Sequence, residues 1–111
     1  MRKNSWTTYS PLPSPLKNGY LYAPFGPGLY ELKNNHSAEL VYVGEGYNVA
    51  YRMSSLLPEP YGAGTRNNSN LRNYILENLE HMYYRTLACS DKTTAKQIQD
   101  EMITQNKYIF N

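Results

Sequence analysis

Cysteine is almost absent: Cys89 stands alone among 111 residues. No disulfide can form within the chain, and no zinc centre of spaced cysteines and histidines is available. A reducing, cytoplasmic setting is the expectation. An excess of one charge is missing too. Eleven Lys and Arg face nine Asp and Glu, a net +2, so any nucleic-acid contact must come from a local patch. No apolar run approaches membrane-spanning length, and residues 1–6 lack the apolar stretch of a secretory signal. Neither membrane insertion nor export is expected.

Tyrosine is abundant, with 12 residues, a type equally at home in cores, at interfaces and under stacked bases. With 41% hydrophobic content, 111 residues are enough for one domain with a modest core. No internal repeat is visible.

Residues 1–25 are rich in proline and tyrosine. Pro11, Pro13, Pro15 and Pro24 exclude a helix and discourage a central strand, so this stretch reads as an extended arm on the domain or on a partner, a homodimer contact included. From 26 to 111 the pattern is that of a folded domain. Gly28-Leu29-Tyr30-Glu31-Leu32 and Leu40-Val41-Tyr42-Val43-Gly44 flank the polar turn 33–37 and read as a β-hairpin over 28–35 and 38–44. Gly44-Glu45-Gly46 is expected to break the second strand. A helix over 47–57, a loop at 61–65 and a second helix over 69–80 follow. A third strand is expected over 82–88. Ser90-Asp91 caps a last helix over 92–105, whose buried stripe is Ala95, Ile98, Met102 and Ile103. The order β-β-α-α-β-α predicts an α+β fold, a small antiparallel or mixed sheet of about three strands flanked by helices.

The hairpin places Tyr30 and Tyr42 near one another. Arg52, eight residues after Gly44, lies on the first helix, where it can reach a phosphate held at the hairpin end. Ordinary cross-strand tyrosines and a solvated arginine would carry the same residues. The combination, however, resembles the GIY-YIG nuclease family. Gly28-Leu29-Tyr30 stands for the first signature, Tyr42-Val43-Gly44 for the second and Arg52 for the family's arginine. The third strand, last helix and closing Asn111 fall in the family's order.

The resemblance implies a DNA endonuclease, double-stranded DNA being the expected substrate, with one Mg²⁺ or Mn²⁺ ion. It implies that Tyr30 positions or deprotonates the attacking water. Tyr42 would bond the phosphate or that water, and Arg52 would stabilise the transition state. Asn111 would brace the site, and Gly44 and Arg66 would contact substrate. The family's metal-binding glutamate lies twelve residues before the asparagine, and that position is Gln99. Gln99 lies beside the buried stripe, whereas Glu101 is about 200° and Asp100 about 100° further round the helix. A glutamine carbonyl brings no charge to a hard cation. The chain is therefore expected to be a disabled nuclease, a non-catalytic nucleic-acid- or protein-binding module on the same scaffold, or one that recruits Asp100 or Glu45. Neither His36 nor His81 has a catalytic context.

Overall fold

The most thoroughly buried strand lies at the centre of the sheet. In β2 (Gly28–Asn34) every residue but Lys33 is buried, so both faces must be covered. The computed structural model describes residues 5–14, 19–58 and 69–111. Arg66 and the expected loop at 61–65 lie outside them.

β2 pairs with β3 (Glu39–Gly46) on one side and β4 (Met82–Ala88) on the other. A short β1 (Ser10–Pro11) joins β4, giving the order β1-β4-β2-β3, antiparallel throughout. In the hairpin, Tyr30 opposes Gly44 and Leu32 opposes Tyr42; the register then slips, so that Lys33 opposes Leu40. The turn is closed by Asn34, whose Oδ1 accepts from the amides of His36 and Ser37.

Helix α1 (Val49–Ser54) and helix α2 (Ser69–Glu77) cover one face. Val49, Met53, Leu71 and Ile75 pack there with Tyr30, Leu32, Met82 and Tyr84. Helix α3 (Lys92–Gln105) covers the other, where Ala95 meets Leu29, Val43 and Leu87, with Ile98 and Met102 partly buried beside them. Asp91 caps α3 by accepting from the Thr94 amide, and Asn48 caps α1 by accepting from the Tyr51 amide.

The α+β expectation holds, with four differences of detail. β3 runs through Gly46 instead of breaking at Gly44, because its ladder to β2 continues to Gly28 opposite Gly46. α1 is short, since Asn48 sets its start. Ile103, expected in the buried stripe of α3, is 36% exposed. The fourth strand comes from the proline-rich segment. Pro11 donates nothing to a ladder and is tolerated here because β1 is an edge. Around it the Thr7 and Leu12 amides bond the carbonyls of Thr86 and Met82, at 2.9 Å each. Leu12 is fully buried.

One charged group sits in this interior. Glu31, 1% exposed in mid-β2, faces the α3 side of the sheet. A lone buried carboxylate would cost several kcal/mol. Three donors answer it: Arg85 Nε at 2.7 Å from the opposing position of β4, and the hydroxyls of Tyr9 and Tyr108. Arg85 also stacks on the rings of Trp6 and Tyr9. The N-terminal and C-terminal segments are thus fastened to the same central residue.

Burial, reinforced by the hydrogen bond to Glu31, pushes the hydroxyls of Tyr9 and Tyr108 well above the ordinary tyrosine range. The unfolded chain therefore ionises first as pH rises. The stability these phenols contribute is complete below about pH 10 and is lost above it. Urea midpoints should be flat from neutrality to about pH 9.5 and fall beyond pH 10. A Tyr9→Phe, Tyr108→Phe double variant should be less stable at neutrality but show a shallower alkaline slope.

Candidate functional site

The glycines of the two tripeptides are explained by what lies over them. A Cβ on Gly44 would sit 2.6 Å from both Cζ and Oη of Tyr30, which opposes it across the hairpin. A Cβ on Gly46 would sit 2.6 Å from Cγ of Arg52. A Cβ on Gly28 would meet the Leu87 carbonyl oxygen at 2.2 Å. On the face covered by α1, these gaps admit a phenol and the stem of an arginine. Tyr30 is buried; its ring lies 6.0 Å from that of half-buried Tyr42, tilted by 42°. They are diagonal neighbours, since Leu32 and not Tyr30 opposes Tyr42. Arg52 is exposed, in the last turn of α1.

β3 is the sheet's outer edge, and the C-terminal segment runs along it. The amides of Ile109 and Phe110 bond the carbonyls of Leu40 and Val41 at 3.1 and 3.0 Å. Asn111 then grips the Val43 peptide with both ends of its amide. Its Oδ1 accepts from Val43 N at 2.8 Å and its Nδ2 donates to Val43 O at 3.1 Å. Gln99, from α3, donates its Nε2 to the same carbonyl at 3.2 Å. The edge that would otherwise be open to another strand is closed. Gln99 and Asn111 meet on Val43, between Tyr42 and Gly44.

The residues present do not fit a divalent cation. Gln99 is neutral, and its amide nitrogen faces a carbonyl oxygen. Among the described residues no three His, Cys, Asp or Glu side chains cluster. Asp100 is exposed and ion-paired with Lys96 at 3.4 Å. Glu45 points to the α3 side, its Oε1 buried and answered by Lys92 Nζ at 3.1 Å. Glu31 is occupied as described.

No family model matches the sequence, and no curated protein matches it. Among solved structures, the chain is similar to the GIY-YIG N-terminal endonuclease domain of UvrC from Thermotoga maritima, bound there to its catalytic magnesium. The match covers 80% of this chain and 86% of that one, at 19% identity and a TM-score of 0.59. The fold is that of a GIY-YIG endonuclease domain.

Sequence reasoning missed Gly46 as the seat of Arg52, although Gly44-Glu45-Gly46 marked the spot. It also missed Gln99 and Asn111 sharing Val43, because the shared group is backbone. Arg85 is drawn to Glu31 and Lys33 lies over the Tyr9 ring, while Lys92 and Lys96 stand at the start of α3.

Gly44→Ala should cost about 1–3 kcal/mol, the usual result of forcing atoms into a filled space. In a Tyr30→Leu background the same change should cost much less. Denaturation of the four proteins of this cycle measures the coupling, and additive effects would refute the contact.

Proposed function

We propose that this chain is an endonuclease-type domain that engages DNA phosphodiesters through Arg52 and Tyr42, with its cleavage step held back by Gln99. The observation that carries this reading is the convergence on one end of the hairpin. Arg52 lies over Gly46, Tyr42 beside Tyr30, which fills the space over Gly44, and Gln99 and Asn111 on Val43 between Tyr42 and Gly46. The fold and the magnesium-bound neighbour support the reaction class.

In this reading Arg52, exposed at the end of a short helix, holds a phosphate oxygen with charge-assisted hydrogen bonds and opposes charge that grows on it. The phenol of Tyr42 donates to a second phosphate oxygen or orients a water beside it. Tyr30, buried behind it, sets the ring of Tyr42. Gly44 admits Tyr30, and Asn111 holds the peptide between Tyr42 and Gly44. A divalent cation would supply Lewis-acid stabilisation if a carboxylate replaced the amide of Gln99; with the residues present no step is assigned to it.

A second reading is a non-catalytic binding module for nucleic acid or protein on the same scaffold. It is favoured by the direct bond from Gln99 to Val43, which gives the glutamine a structural use. Plasmid nicking in Mg²⁺ or Mn²⁺ separates the two. Gln99→Glu should raise the nicking rate by ~10³-fold, about 4 kcal/mol of barrier. Arg52→Ala in that background should abolish it without moving the thermal midpoint. A Gln99→Glu protein that folds, binds DNA and never nicks it would leave the second reading standing.

A further inference from the structure

We propose that the pocket between Tyr47 and the start of α3 seats one unpaired nucleotide of a DNA strand, its base against the Tyr47 ring and its phosphate on Lys92 and Lys96. The proposal rests on the reading of this chain as a DNA-binding domain and adds the kind of DNA it takes. The pocket measures about 390 Å³ and is lined by Tyr47, Lys92, Thr93, Lys96 and Gln97. That is within the range of small-ligand sites. Its lining carries two cations, a hydroxyl and an amide, and no carboxylate.

Three observations point to an unpaired nucleotide. Tyr47 is 73% exposed, and Lys92 Nζ lies 5.3 Å from its ring centroid, so an aromatic surface and a cation are already juxtaposed. Tyr47 follows Gly46, on which the Arg52 stem lies, so the pocket begins one residue along the chain from the candidate phosphate site and opens on the α3 side of the sheet. Two further exposed rings lie near the start of α1, the helix that Tyr47 precedes. Phe25 and Tyr51 are 84% and 70% exposed, and the carbonyls of Pro24 and Gly26 accept from the amides of Ala50 and Val49 at 2.9 and 3.2 Å, fixing the backbone on either side of Phe25 to α1.

Aromatic rings interleaved with cations are the pattern by which single strands are held, because every unpaired base offers a face to stack on. Paired bases inside a duplex offer none. Lys96 can be recruited. Lys96 and Asp100 are both well exposed, and such a pair contributes little, so a phosphate can displace it. Lys92 is 35% exposed and reaches Glu45 while remaining over Tyr47.

The test is fluorescence anisotropy of the full chain, without metal, on a short blunt duplex and on the same duplex with a single-stranded extension. The extension should tighten binding by the wild type. Tyr47→Ala should lose about fivefold or more of that affinity, with a far smaller change on the blunt duplex, and Tyr47→Phe should restore it. Lys96→Ala should make the salt dependence on the extended DNA shallower by roughly 0.7 in log-log slope. Equal loss on both DNAs, or no loss, overturns the pocket proposal. Self-association of the wild type that Tyr47→Ala abolishes also overturns it, because a second copy is then the occupant. Arg52→Ala should weaken both complexes. If it weakens neither, the phosphate-site reading fails while the Tyr47 comparison still judges the pocket. Binding to neither DNA overturns both.

Discussion

The buried carboxylate of Glu31 is the constraint on which the arrangement of this domain depends. It lies at the middle of the central strand, out of reach of water, and is stable there only while Arg85, Tyr9 and Tyr108 face it. These donors come from β4, the N-terminal segment and the C-terminal segment. Any packing of either segment that misplaces a hydroxyl leaves a buried charge short of a donor. Hydrophobic contact alone, which has no direction, would impose no such alignment. The alignment reaches the candidate site by a short path. Tyr108 anchors the segment whose next residues bond Leu40 and Val41 and end on Val43.

From Val43 outward the governing physics changes from hydrogen bonding to excluded volume. Tyr42 and Gly44 flank the gripped peptide. The space beside Gly44 is filled by Tyr30, and the space beside Gly46 by Arg52. The tripeptide pattern is therefore a packing requirement before it is a chemical one. Glycine is needed where a tyrosine ring and an arginine stem must approach backbone closely.

Much of this was legible in the sequence where side-chain period and caps report directly on structure. β4 and α3 lie at the expected residues because Asp91 caps the helix and apolar residues recur at helical spacing behind it. The hairpin was legible from two alternating runs around polar turn residues. What was not legible depends on long-range partners. β1 has two residues, one of them proline, and no period to detect; it is a strand only because β4 offers an edge. The pairing of Arg85 with Glu31 was not legible because nothing local announces that the two strands set them opposite one another. The clasp on Val43 is invisible in sequence because its acceptor and donor are main-chain atoms.

Gln99 gains its meaning from the same clasp. Glutamate and glutamine have nearly the same shape, so the exchange leaves packing against α3 undisturbed, but it inverts one contact. The amide nitrogen donates to the Val43 carbonyl, whereas a carboxylate oxygen in that place would face the carbonyl with two acceptors and no proton between them. A cation placed between them would resolve the repulsion, and an amide resolves it without one. The position can thus be filled stably in two ways, by a carboxylate with a metal or by glutamine alone. This chain has the second, which keeps the geometry of Tyr42, Gly44 and Asn111 intact without the ion. In the proposed reading, the residues that would hold a phosphate keep their places while a hydrogen bond stands where a metal ligand would otherwise be.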